Sequence, residues 1–100
     1  MKIFVSYTVR DSFVTESLLV SVQESLKPLG QPYIDLIHND SEDKQARVKQ
    51  ELIQSDVVVL LNSASIKSSP WVRWEIDTAE QLGIPIKYVN LSGSAPSYKD

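Results

Sequence analysis

The run Asp56-Val57-Val58-Val59-Leu60-Leu61-Asn62 is the feature that most restricts this chain, because it sets five apolar side chains in succession between two polar residues. Strict alternation would leave one face for water. A continuous apolar run buries both faces, which is the pattern of a central strand in a parallel sheet covered by helices above and below. The segment is far short of the roughly 20 apolar residues a membrane helix needs, and no other run comes closer.

The remaining segments follow the same logic. Residues 3–7 (Ile3 to Tyr7) read as a short buried strand. Asp11 or Ser12 then caps a predicted helix with the stripe Val14, Leu18, Val22, Leu26, widened by Leu19 and stopped at Lys27-Pro28-Leu29-Gly30. Residues 32–37 read as a second strand, placed at a sheet edge by Pro32 and Asp35. After the acidic turn at 38–42, a second helix is expected over about 42–54, with Val48, Leu52 and Ile53 as its thin apolar face. Residues 63–68 read as a polar loop. Ser69 then supplies an N-cap and Pro70 a first-turn proline for a helix ending at Gly83. Residues 85–91 form the last predicted strand, and 92–100 a frayed tail. One domain, 1–91, is expected.

An order βαβαβαβ with right-handed crossovers predicts an α/β fold, a parallel sheet with helices on both faces. With the second strand at an edge, the strand order becomes 2-1-3-4, a flavodoxin-like arrangement whose topological switch lies between the first and third strands. Ligands bind at such a crevice. Ser6, Tyr7 and Thr8 end one of those strands, and Asn62 and Ser63 end the other.

Composition excludes several classes of function. The formal charge is −3, an excess carried by Asp35, Asp40, Glu42 and Asp43 against Lys44. No basic stripe is present to neutralise phosphates, so a nucleic-acid binder is not expected. With no cysteine and a single histidine, His38, neither a disulfide nor a metal cluster is expected. The start shows no charged region followed by an apolar stretch and cleavage site, so a soluble cytoplasmic protein without membrane attachment is expected.

The chemistry is concentrated in Ser68-Ser69-Pro70-Trp71-Val72-Arg73-Trp74-Glu75-Ile76-Asp77-Thr78-Ala79. On a helix, Val72, Ile76, Ala79 and Gly83 form the core stripe, and Trp71, Glu75, Thr78 and Leu82 the stripe beside it. Glu75 thus sits at the border of the buried face, one turn from an indole. A carboxylate so placed can be desolvated and used to stabilise a developing cation, while the free N–H groups from Ser69 to Val72 can hold a phosphate. By spacing alone the same pair fits an acid snorkelling beside a core aromatic, and Arg73 with Asp77 fits a solvated pair.

Taken together, Ile3-Phe4-Val5-Ser6-Tyr7 with Asp11, the run 55–61, and Ser69-Pro70-Trp71-Val72-Arg73-Trp74-Glu75 through Ala79 and Gly83-Ile84-Pro85-Ile86 resemble a TIR domain. More narrowly, they resemble the bacterial TIR-like branch of Thoeris-type antiphage defence, in consistent order over residues 2–91. The resemblance implies the flavodoxin-like sheet and cleavage of NAD at its nicotinamide glycosidic bond, by hydrolysis or by cyclisation to a signalling nucleotide. It implies that Glu75 is catalytic, with Trp71 walling the pocket. Tyr7, Thr8 and Arg10 then fall in the nucleotide-binding loop after the first strand; Asn62, at the end of the third strand, and Ser69, at the helix N-terminus, join the binding set by their position alone.

Under this resemblance NAD is substrate and no further cofactor or metal is required. Fuller members continue with another helix and strand beyond the segment equivalent to Leu91, and many act as assemblies. The resemblance therefore implies self-association or pairing with another TIR protein. Val72 stands where animal receptor members often carry cysteine, which points away from that branch. Three readings stay open: an NAD-cleaving enzyme, a non-catalytic TIR interaction module, and a nucleoside deoxyribosyltransferase-like enzyme. The last has a Gly-Thr-rich entry to its catalytic helix, where this chain has Ser68-Ser69-Pro70-Trp71.

Overall fold

A computed structural model of the chain describes residues 1–12, 14–38, 42–63 and 65–90. Four strands, β1 (Lys2–Ser6), β2 (Gln31–Ile34), β3 (Val57–Asn62) and β4 (Ile86–Asn90), pair in the order β2-β1-β3-β4, every pair parallel. Between them run α1 (Glu16–Leu26), the single turn α2 (Asp35–His38), α3 (Lys44–Ile53) and α4 (Pro70–Gln81). The expected α/β class, strand order and edge position of β2 all hold.

The two faces of the sheet are covered by different helices. Ile3 and Val5 of β1, Ile34 of β2, and Val59 and Leu61 of β3 form one face, against which Leu19 of α1 and Val14 pack. Phe4, Tyr33 and Val58 form the other, under Val48 and Leu52 of α3 and Ala79 of α4. Residue parity explains the division: alternate side chains of one strand point to opposite faces, so a run such as Val58-Val59-Leu60-Leu61 feeds both cores. A helix contributes through i, i+4 pairs, here Val48 with Leu52.

Several boundaries differ from the sequence reading, each for a local reason. Helix α1 begins at Glu16 and not after Asp11 or Ser12, because Thr15 is the N-cap and its hydroxyl accepts from Leu18 N at 3.2 Å. Asp11 is committed elsewhere: its carboxylate accepts from the Ser65 amide at 2.9 Å and the Ser65 hydroxyl at 2.7 Å, tying the loop after β1 to the loop after β3. The second strand ends at Ile34 and not at 37. There the chain turns into α2, held by the Leu36 N–H on the Tyr7 hydroxyl at 2.8 Å and the Ile34 N–H on His38 Nδ1 at 2.9 Å.

Helix α3 starts at Lys44 with Asp43 as its cap, and Ile53, expected on its apolar face, is exposed. The loop expected over 63–68 contains a turn of 3₁₀ helix, Ile66–Ser68, whose Ile66 is buried with Leu60 and Val72. Ser69 caps α4 as expected, its Oγ accepting from Val72 N at 3.3 Å, and Gly83 ends the helix with φ +73. Residues 39–41 of the acidic turn, Leu91 and the tail 92–100 lie outside the described residues. Among those described, no helix is long and apolar enough to cross a membrane.

Candidate active site

Ser6, at the carboxyl end of β1, lies on the same face as Phe4 and so points toward α4. Its hydroxyl donates to Glu75 Oε1 at 2.8 Å. One turn before Glu75 on the helix, Trp71 Nε1 donates to Oε2 at 2.9 Å. The carboxyl is therefore held from the sheet by one oxygen and from its own helix by the other. It is only 3 % exposed, deeper than the border position read from the helical stripe.

Burial sets its acidity. Removal from water raises the Glu75 pKa to about 8; the donors Ser6 and Trp71 oppose the rise, and the charge of Asp35 adds to it. A hydroxyl can reverse its role and an indole N–H cannot. In the neutral form the acid proton therefore belongs on Oε1, with Ser6 accepting it, while Oε2 keeps the bond from Trp71.

Glu75 lines an open pocket of about 430 Å³ together with Tyr7, Thr8, Val9, Asp35, Leu36, Lys44, Ser69 and Trp71. The pocket lies at the carboxyl ends of β1 and β2 and beside the N-terminus of α4, not between β1 and β3 where the strand order placed the expected crevice, and neither Asn62 nor Ser63 lines it. Trp71 forms part of the wall and packs on Trp74 with ring centroids 5.5 Å apart. The Tyr7 pKa is raised to about 12 by burial, opposed by the Leu36 N–H, with the charges of Asp35 and Glu75 adding to the rise; its hydroxyl stays protonated at neutral pH.

Of the residues expected to bind nucleotide, the structure brings Tyr7, Thr8, Ser69 and Trp71 together with Glu75. Arg10 and Asn62 are not among the lining residues. Arg10 is exposed on the loop, where its backbone N–H donates to Thr8 Oγ1 at 3.3 Å. Asn62 is turned toward β4, and its Nδ2 donates to Asn90 Oδ1 at 3.0 Å. Asp35 and Lys44 join the lining although the sequence reading did not single them out for it. The α2 turn redirects Asp35, which an extended strand would have placed elsewhere, and Lys44 opens α3 beside it. The described residues contain no group of three or more histidines or acids suited to a metal ion.

The strand order and the strand-end pocket define a flavodoxin-like α/β domain. Residues 4–96 match the family described as Thoeris protein ThsB, TIR-like domain, and the chain belongs to that family. Comparison with curated proteins gives no match. Among solved structures, the fold is similar to that of the 2-deoxyribosyltransferase from the psychrotolerant bacterium Bacillus psychrosaccharolyticus. The TM-score is 0.71 at 12% identity, over 99% of this chain and 79% of that one.

Proposed function

We propose that this TIR-like domain breaks the nicotinamide N-glycosidic bond of NAD, with Glu75 as the group that faces the developing ribosyl cation. The observation that carries the reading is the buried Glu75 carboxyl, fixed by Ser6 and Trp71 at a strand-end pocket. As the C1′–N bond breaks, its electron pair passes to the nicotinamide nitrogen and neutralises the ring cation. Positive charge is left on the ribose. A carboxylate already desolvated and oriented stabilises that charge far better than one in water. Capture by water, with loss of its proton, gives ADP-ribose, and capture by a nucleophile of the same molecule gives a cyclic product.

A pKa near 8 leaves the resting acid largely protonated at neutral pH. Arrival of the cationic nicotinamide ring favours its ionisation, so the charge needed for catalysis is developed when substrate is in place. Tyr7, Thr8, Ser69 and Trp71 are assigned to holding the nucleotide. The reading carries with it a cytoplasmic setting, where NAD is available, and a part in antiphage signalling.

A second reading is transfer of a deoxyribosyl group between bases. It is supported by the same buried carboxyl, since this reaction also breaks an N-glycosidic bond. The test is release of nicotinamide from NAD by wild type and by Glu75→Gln, at high protein concentration, beside base exchange from deoxynucleosides. Release abolished in Glu75→Gln is the expected result. Base exchange without nicotinamide release selects the second reading. Self-association with neither activity, unchanged in Glu75→Gln, selects a non-catalytic interaction module.

A further inference from the structure

Strand β2 has one main-chain donor that the sheet does not use. The Gln31 N–H bonds to the Met1 carbonyl, so Gln31 and Tyr33 turn their main-chain groups toward β1, and Pro32 and Ile34 turn theirs outward. Pro32 has no N–H to satisfy. The N–H of Ile34, a fully buried residue, donates to His38 Nδ1 at 2.9 Å. The imidazole four residues on thus folds the chain back as α2 and meets a donor that would otherwise be buried unpaired.

That bond fixes where the ring carries its proton. A nitrogen that accepts from an N–H holds no proton of its own, so the neutral ring is protonated on Nε2, which stands 3.0 Å from the Gln23 side-chain amide of α1. The oxygen of that amide is the acceptor this proton requires. Tyr33 of β2 packs beside the imidazole, with ring centroids 5.8 Å apart. His38 also shares a cavity with Lys2 of β1 and with Arg47 and Glu51 of α3, and Asp35 is the acid of its own turn. Whatever charge these groups contribute, Nδ1 cannot at once hold a proton and accept from Ile34.

We propose that His38 is a positioning residue for the Glu75 pocket: its unprotonated Nδ1 holds α2 in place as one wall of the site, and gain of a proton there releases that wall. Asp35 and Leu36 of α2 both line the pocket. The turn is bound to its surroundings by the Ile34 N–H on His38 and by the Leu36 N–H on the Tyr7 hydroxyl, and a helix of four residues has little cohesion of its own. Protonation of Nδ1 sets one N–H against another and breaks the first of these bonds. The pocket is therefore closed on the α2 side at neutral pH and loosened in mild acid. This device concerns the shape of the site and holds for any ligand the pocket takes, NAD or another.

The test is amide hydrogen exchange by NMR on the whole chain without ligand, read as protection factors so that the pH dependence of the exchange chemistry is removed. In wild type, protection of the Ile34 and Leu36 amides is expected to fall together by about tenfold between roughly pH 7.5 and 5.5, the span in which a histidine ordinarily gains its charge. His38 is the single histidine of the chain, so its ring signals can be followed in the same samples, and the fall should track them. His38→Asn offers Oδ1 in place of Nδ1 and does not titrate; its protection is expected to stay near the neutral wild-type level throughout. His38→Ala has no acceptor and is expected to stay near the acid level throughout. A step absent from both variants assigns it to His38 whatever their levels. Wild-type protection that does not change over this span, a fall confined to Ile34 with Leu36 unmoved, or a step of wild-type size in His38→Asn overturns the proposal. None of these readings uses NAD, so they stand apart from the outcome of the nicotinamide assay.

Discussion

Ser6 and Glu75, 69 positions apart in sequence, share a buried hydrogen bond of 2.8 Å that joins the end of β1 to the second turn of α4. The candidate catalytic carboxyl is thus aligned by the sheet as well as by its own helix. A carboxylate tethered only through Trp71 would be positioned by its own helix alone; the second tether fixes it to the sheet as well. Any function that depends on the direction of this carboxyl depends on Ser6.

Ser6→Ala removes one of the two donors that hold the Glu75 pKa down against burial. The carboxyl is therefore expected to titrate still higher than about 8. Ser6 bonds the neutral acid too, so the rise reflects the excess of a bond to the charged form (~1.5–3 kcal/mol) over an ordinary one (~0.5–1.5 kcal/mol), about one pH unit. Titration of the Glu75 side-chain carbon by NMR measures it directly. Under the proposed reaction, nicotinamide release rises with pH as Glu75 ionises, and its midpoint should move upward by the same amount. An unmoved midpoint in both measurements would separate Ser6 from the acidity of the site.

Glu75→Gln should stabilise the fold, and increasingly so as pH rises. The folded pKa, about 8, lies above the ordinary value of 4.5, so the native state holds a proton that the unfolded chain gives up across that interval. Stability of the wild type consequently falls as pH climbs from 4.5 toward 8, by on the order of 4 kcal/mol over the whole range. Glutamine mimics the neutral acid and titrates nowhere in that range. Thermal or urea unfolding of both chains at several pH values checks this, and a pH-independent difference between them would count against a buried, proton-holding Glu75.

Much of this arrangement was legible in the residues, and the exceptions share a cause. The apolar run at 57–61, the cap at Ser69 and the stripe through Val72 and Ala79 are local patterns, and the strand order and α4 follow from them. Glu75 was placed beside the core because its helical position alone decides that. Ser6 as its anchor, Asp35 and Lys44 in the pocket, and the loss of Asn62 to Asn90 depend on partners 28 or more residues away or on the α2 turn. Period-two and period-3.6 patterns carry no record of such pairings. At the start of α1, Asp11 has the right chemistry for a cap, and only its bond to Ser65 shows that it is used elsewhere.

The entry to α1 allows a direct comparison between two residues of cap chemistry. Thr15 Oγ1 accepts from Leu18 N, while Ser12 lies before the helix and contributes no cap. Thr15→Ala should cost about 1 kcal/mol, the usual worth of an N-cap hydroxyl, and Ser12→Ala close to nothing. Denaturant midpoints at constant slope compare the two variants. Equal losses at both positions would return the cap to the earlier residue.

Asp11 supplies the only described side chain that accepts both the amide and the hydroxyl of Ser65, so it fixes the loop carrying Thr8 and Val9 relative to the turn that leads into Ser69. Its pKa is held below the ordinary carboxylate value by the Ser63 side chain, although that hydroxyl falls short of a full hydrogen bond, and by the bonds from the Ser65 amide and hydroxyl, which the geometry does show. A depressed carboxylate stabilises the fold above its unfolded pKa, and that contribution is lost as pH falls through the folded value. Asp11→Asn should therefore melt below wild type at neutral pH, and the two curves should converge in acid once the wild-type carboxylate is protonated. The variant retains an amide oxygen that can accept one bond but carries no charge, so it tests the ionised form and not merely the presence of an acceptor. Melting both chains at neutral pH and again well below the ordinary carboxylate range decides the point: a gap that persists undiminished in acid would assign the loop tie to neutral hydrogen bonding alone.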